Sequence, residues 1–464
     1  MGAIASLGFN WWLSPGLLIG RQIKVDSIMF LKHGEDGCNG GQQEKQWRHL
    51  MHKYTVAIDL GKWKHAISIY DVTEHKLVTA LSIGVNRAGF LKLDAALEAL
   101  SPRAFDFVIG CEATGHYGET LLRHLQKQNY PIVRLNPAQV TQFRRGLGRR
   151  AKNDELDADA MARQLAVGSY THEHPLSETV LALRRVTRLR LDFVEEKGRW
   201  ANRVLAVINQ MFPEVEPLLK DVTTPTTLAI LQAYPSRQRL ATAPIDELSE
   251  TVGRASRRNK GAAFAKQLQQ TAAVSVGLDD PHLEMELRIL VQQVISATES
   301  IRHLEKEIKQ LTDQVLVERS RQLALEQPLT LDDFPLGTHL SIGTLLAEMG
   351  CVERFETQKQ MLSYFGWCPN TKESGTQKSP HPRMSHQGNR FARRIIWMLA
   401  VGAIRWVPEY QDYFNRRVDN GKNKMKTIVA VGRKLLCTIR AILLTGQPYD
   451  STRYLGQPIH VAVT

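Results

Sequence analysis

An α/β amino-terminal domain followed by a mostly helical remainder is the architecture this sequence predicts, on three observations. Short apolar runs of β type cluster between residues 51 and 175, helical patterns alternate with them after the third run, and beyond Pro175 long stretches take up helical spacing. In order, Tyr54 to Tyr70 reads as a strand, a turn at Gly61-Lys62 and a second strand through Ala66-Ile67-Ser68-Ile69, and Leu77 to Ile83 reads as a third. A helix from Ala88 to Leu100, a strand Phe107-Val108-Ile109-Gly110-Cys111, a helix from Tyr117 to Gln128, a strand from Pro131 to Leu135 and helices after Asn136 complete the domain. Three strands followed by alternating helix and strand is the order of an RNase H or RuvC-like fold.

After Pro175, Leu183, Val186, Leu189, Phe193, Trp200, Val204, Val207 and Met211 keep near-helical spacing. Residues 213 to 281 read as more irregular, with breaks at Thr223-Thr224-Pro225-Thr226-Thr227 and Pro235-Ser236. From Leu287 the positions Val291, Val294, Thr298, Ile301, Leu304, Ile308, Leu311 and Val315 follow a heptad rhythm with one break, which predicts a coiled coil that pairs protomers or one long helix packed on its own chain. The expected class is an α/β RNase H/RuvC-like N-terminal domain, then a helical coiled-coil region, then a mainly α C-terminal domain. The expected segments are a leader over 1–50, disordered or a start-site artefact, the α/β domain over 51–175, the helical region over 176–330 and a basic helical domain over 331–464.

Four acids fall at telling places on this framework. Asp59 ends the run Tyr54-Thr55-Val56-Ala57-Ile58 and Glu112 ends the run that closes at Cys111, so both sit at strand ends. Asp154 and Asp157 open a helical pattern, and their spacing of three puts both on one face. Singly, each has a plain structural reading: a turn former, a solvated loop residue, an N-cap, a first-turn acid favoured by the helix dipole. Together, in this order, they are poorly explained by caps. Converging carboxylates repel unless cations hold them, and Mg²⁺ suits hard oxygen ligands, with two ions about 4 Å apart able to clamp the entering and leaving oxygens of a phosphodiester. The expected catalytic and metal-binding acids are therefore Asp59, Glu112, Asp154 and Asp157.

A formal net charge of +13 implies a polyanionic partner, nucleic acid before a ribosome-like or membrane-surface role. Arg134, Arg144, Arg145, Arg149, Arg150 and Lys152 run without an intervening acid into Asp154 and could steer a phosphate backbone onto the acids. Arg184 and Arg185 open the next helix beside Arg188 and Arg190; between Lys372 and Arg440, where Arg390, Arg393 and Arg394 lie, fifteen Lys or Arg face four Asp or Glu. All of these are candidate nucleic-acid contacts, set against a merely solvated face. Trp367, Trp397 and Trp406 lie among the last charges, as base-stacking groups or, more commonly, as core. Five cysteines without a close pair argue against a disulfide framework or a zinc site and suit a reducing cytoplasm; no apolar run reaches membrane-spanning length.

At this point the residues match a known family. Ala57-Ile58-Asp59-Leu60-Gly61-Lys62, Glu112-Ala113-Thr114-Gly115-His116-Tyr117, Asn136-Pro137 and Lys152-Asn153-Asp154-Glu155-Leu156-Asp157-Ala158 stand in the order of the motifs of the IS-one-ten (IS110) DEDD transposases, or bridge recombinases. Leu345-Leu346-Ala347-Glu348-Met349-Gly350, Arg354-Phe355, Gly366-Trp367-Cys368-Pro369, Ser374-Gly375, Gly388-Asn389 and Arg433-Lys434-Leu435-Leu436 resemble that family's second, transposase domain, so the resemblance covers nearly everything after Met51. It implies a bacterial site-specific DNA recombinase of an insertion sequence, in which Ser374 becomes covalently joined to DNA beside the acidic tetrad. It further implies a structured noncoding guide RNA and assembly as dimers or tetramers, with work done at the nucleoid. Pro335-Leu336-Gly337-Thr338 departs from the family's Pro-Gly-Ile-Gly, and His386 replaces a common lysine. Two rivals stand beside this reading: a RuvC-like structure-specific endonuclease that directs water at the phosphate, and a nucleic-acid-binding protein without catalysis.

Overall fold

The computed structural model describes residues 52–112, 117–135, 137–146, 154–168, 170, 176–368, 373–374, 377–378, 384 and 388–454. The leader expected over 1–50 lies outside them. The chain divides after Glu173 into two compact units.

In the first unit, β1 (Tyr54–Leu60), β2 (Lys64–Asp71) and β3 (Lys76–Gly84) form an antiparallel meander. Its first turn needs a glycine, since a Cβ on Gly61 would lie 2.3 Å from the Lys64 carbonyl oxygen. The chain then crosses over α1 (Arg87–Glu98) to β4 (Phe107–Glu112), and over α2 (Glu119–Lys127) to β5 (Ile132–Leu135). β4 pairs in parallel with β1 and with β5, so the sheet order is β3-β2-β1-β4-β5. α3 (Pro137–Gly146) and α4 (Asp154–Ala166) follow.

Period-two alternation divides the strand side chains between two cores. Tyr54, Val56, Ile58, Phe107, Ile109 and Cys111 pack with Leu93, Leu97, Leu121 and Leu125 of α1 and α2. Ala57, Val108, Val133 and Leu135 face the other way, onto Ala158, Met161, Ala162 and Leu165 of α4. The fit there is close: the Thr55 hydroxyl donates to the Ala162 carbonyl at 2.9 Å, and a Cβ on Gly110 would lie 2.6 Å from Leu165. The mixed sheet and its helices match the expected element order.

Among its described residues the second unit is mainly helical and carries a two-stranded ribbon. α5 (Glu178–Met211) begins at the Ser177 cap; α6 (Glu216–Leu219), α7 (Pro225–Ala233), α8 (Arg237–Ala241), α9 (Ile245–Ala255) and α10 (Ala262–Ala273) precede the long α11 (Pro281–Gln322). α5 and α11 form an antiparallel hairpin, tied by Thr179 to Glu318, Arg190 to Glu305 at 2.6 Å, and the Leu278 N–H to the Gln210 carbonyl at 2.8 Å. The heptad positions Val291, Val294, Ile301, Leu304, Ile308 and Val315 are buried within this chain. Of the two readings of this rhythm, the structure shows the long helix packed on its own chain, with α5 covering the seam.

One correction concerns residues 213 to 281, expected to be irregular. They are short helices around Phe212, Leu231, Leu248, Leu268 and Leu287, and the supposed breaks are helix starts, with Thr224 and Ser236 as N-caps. At the other end of the hairpin, α12 (His339–Met349), α13 (Gln358–Tyr364), α14 (Arg390–Trp406), α15 (Pro408–Asp419) and α16 (Lys424–Thr445) pack on Leu183, Ile308 and Val315. The boundary expected near residue 330 thus separates no compact units. Trp367 is core: its ring lies on Gly432 and its indole N–H donates to the Val429 carbonyl at 2.8 Å. Trp397 is partly buried on the same core, whereas Trp406 is exposed.

Candidate active site

Strand register brings two of the four acids together. In the parallel β1/β4 ladder Ile58 stands opposite Cys111, so Asp59 and Glu112 are the next residues on adjacent strands. Facing residues of a parallel pair share a face, and alternation assigns these two to the face that α4 covers. Both are half-buried. Asp154 opens α4, with its side chain outside the described residues; Asp157 follows on that helix, half-buried, in an ion pair with Arg144 at 2.5 Å. Among the described residues, no three His, Cys, Asp or Glu side chains are close enough to hold a metal ion. As hard oxygen donors on one face, Asp59 and Glu112 suit a divalent cation.

The basic residues divide by burial. Arg144, expected on nucleic acid, is occupied by Asp157, while Arg145 is exposed. Arg149, Arg150 and Lys152 lie outside the described residues. Arg184 corrects the expectation placed on it: it turns inward, its Nε donates to the Ala347 carbonyl at 2.7 Å, and burial pushes its guanidinium pKa down. Its neighbour Arg185 is exposed. On α14, Arg390 and Arg394 are exposed in one helical stripe with Met398, Val401 and Arg405, and Arg393 is half-buried.

Ser374 lies in β6 (Glu373–Ser374), opposite Gln377 of β7 (Gln377–Lys378); its side chain is outside the described residues. The stretches on either side of it, at Gly366 and Gly388, meet in a neck. Gly366 and Gly388 both have positive φ, +66° and +113°, and a Cβ on Gly388 would lie 2.5 Å from the Gly366 nitrogen. The Asn389 N–H donates to the Tyr364 carbonyl at 3.2 Å, and the Asn389 side chain caps α14 by accepting from the N–H groups of Phe391 and Ala392.

Beneath the neck lies a fully buried carboxylate, Glu348. Arg188 donates to it through Nε and Nη2, both at 2.7 Å, and the Asn389 amide donates to it as well. The same hydrogen bonds hold the Arg188 guanidinium pKa up. The Tyr364 hydroxyl donates to the Glu348 carbonyl at 3.3 Å. Sequence reasoning quoted Glu348 and Asn389 only as motif letters. The available signal was a lone acid among Leu345, Leu346, Ala347 and Met349, which a buried helix tolerates only with a cation at hand.

Family models match two segments of the chain. A DEDD transposase model of the IS110 type matches residues 56–213, and a model described as Transposase IS116/IS110/IS902 family matches residues 339–415. The Insertion element IS110 uncharacterized 43.6 kDa protein of Streptomyces coelicolor is 25% identical over 321 residues, 66% of this chain and 74% of that one. The Pilin gene-inverting protein of Moraxella lacunata is 22% identical over 369 residues, 79% of this chain and 88% of that one. The Insertion element IS116 uncharacterized 44.8 kDa protein of Streptomyces clavuligerus is 20% identical over 397 residues, 84% and 94% of the two chains. Among solved structures, T. thermophilus RuvC in complex with Holliday junction substrate matches at 15% identity over 26% of this chain and 100% of that one. Its TM-score of 0.19 is too low to bear on the fold.

Proposed function

Because the chain belongs to the IS110 family of transposases, we propose that it cuts and rejoins DNA strands as the site-specific recombinase of an insertion sequence. The observation that carries this reading is the in-register placement of Asp59 and Glu112 on adjacent parallel strands, facing the helix that bears Asp154 and Asp157. These four acids would hold Mg²⁺, two ions in this reading, which when bound supplies positive charge against a phosphate in the act of substitution.

Ser374 is the proposed nucleophile. Its Oγ attacks phosphorus, the Oγ–P bond forms, and the bond from phosphorus to the departing sugar oxygen breaks. The serine proton passes to a base and the departing oxygen accepts one, so the phosphodiester count is conserved and a sugar hydroxyl can later reverse the step. Arg145, Arg185, Arg390 and Arg394 are exposed cations able to take up the backbone. A structured guide RNA and a dimer or tetramer belong to the same proposal, on family resemblance.

Trapping a covalent protein–DNA species on denaturing gels tests the chemistry. The adduct is expected in the wild type and in Ser385→Ala and absent in Ser374→Ala. DNA cleavage that survives Ser374→Ala would instead favour a water-directing endonuclease.

A further inference from the structure

The turn that follows Asp59 reads Gly61-Lys62-Trp63-Lys64, and its indole is 75% exposed. Backbone contacts hold the turn that presents it. The turn closes against the Lys64 carbonyl at Gly61, and the Val85 N–H donates to the Trp63 carbonyl at 3.1 Å, which ties the turn to the end of β3. The Lys62 ammonium lies 4.8 Å from the Trp63 ring centroid, and Lys64 is exposed beside it. The turn also stands at the carboxyl end of β1, the same end of the sheet as Asp59 and Glu112. Phe105 provides the contrast. It is 73% exposed, but it precedes β4 and so lies at the opposite end of the parallel pair.

We propose that Lys62, Trp63 and Lys64 form a stacking platform for an unpaired nucleobase of the DNA strand being processed at that sheet end. Trp63 takes the base on its free face, and the two ammonium groups hold the neighbouring phosphates. An aromatic face flanked by cations is how proteins grip single strands without reading sequence, since every base offers a π face. An unpaired base is also what strand exchange must expose. The assignment rests on reading this sheet end as the place where DNA is processed.

The test uses the full chain in an Asp59→Asn background, with a single-stranded DNA oligonucleotide carrying 2-aminopurine and a matched single-stranded RNA. Trp63→Ala is expected to weaken DNA binding by roughly 5- to 100-fold and to abolish the change in 2-aminopurine emission, with Trp63→Phe restoring most of both. Phe105→Ala should bind as the parent does. DNA affinity and emission unchanged in Trp63→Ala would overturn the platform, as would a loss confined to RNA, or a shift in sedimentation with DNA binding intact, which would mean that protein covers the indole. Loss on both nucleic acids supports it. Cleavage retained by Asp59→Asn would defeat the reading of the sheet end while leaving the binding result at Trp63 interpretable by itself.

Discussion

Glu348 and the pair Asp59 and Glu112 are all carboxylates near the ends of regular elements, yet the two regions use them in opposite ways. Glu348 is fully buried, and its oxygens are taken by Arg188 and Asn389, so its charge is spent inside the fold. Asp59 and Glu112 are half-buried at a sheet end, on the face that α4, the helix of Asp154 and Asp157, covers. A buried acid with a bidentate arginine fixes structure; a pair of acids at an accessible sheet end can serve chemistry. Motif membership does not separate the two cases, since all three residues lie in family-like stretches. Surroundings do.

The comparison breaks most clearly at the sheet end. Asp59→Asn or Glu112→Gln should cost about 10²- to 10³-fold or more in strand transfer, measured as product per unit time on a supercoiled substrate. Denaturant unfolding of the same variants should stay within about 1 kcal/mol of the wild type. Either variant unfolding while activity per folded molecule holds would make these acids structural. The reverse is expected at Glu348. Arg188→Ala strands a buried carboxylate and should destabilise the second unit by about 3 kcal/mol, and Glu348→Gln should cost less, because the 43% exposed Arg188 side chain can turn to water. Guanidinium titration monitored by tryptophan emission gives both values, and an inverted order would sink the account of that pair.

A smaller effect sharpens the contrast between burial and charge. His65 stands on β2 opposite Leu60, fully buried, with neither ring nitrogen hydrogen-bonded, and burial holds its pKa below the ordinary imidazole value. The unfolded chain therefore takes up a proton near pH 6.5 that the folded chain refuses. Stability from this residue is complete above about pH 6.5 and falls below it, by at most about 1.4 kcal/mol per pH unit, until the folded-state pKa is reached. Unfolding free energies from pH 7.5 down to about 5 should show that slope in the wild type and lose it in His65→Phe.

The sheet was legible because β1 and β4 are apolar runs that each stop at an acid, and strand ends announced in that way need no tertiary information. The face shared by Asp59 and Glu112 followed from register, which alternation already implied. The helices between residues 213 and 281 were illegible for a physical reason. α8 buries Leu240, α9 buries Leu248 and Val252, and so few inward positions per helix leave no period to detect. The arginines at the start of α5 look alike in sequence, but packing turns Arg184 inward, pairs Arg188 with Glu348 and leaves Arg185 in water. Trp63 escaped notice because a single aromatic in a turn has no pattern at all. Nothing local distinguishes Ser374 from its neighbouring serines, so the role proposed for it rests on the family resemblance alone.

The hairpin of α5 and α11 has an architectural corollary. Everything from Phe212 to Asp280 enters and leaves through one doorway, where Leu278 meets Gln210 and Gly277 lies against the Met211 carbonyl. That module builds one hydrophobic core with the adjoining ends of α5 and α11, and the seam below it continues without it through Ile301, Leu304 and Ile308. A natural or engineered exchange of the module at this doorway is therefore a substitution of one detachable part, in which the lower shaft of the hairpin keeps its own packing.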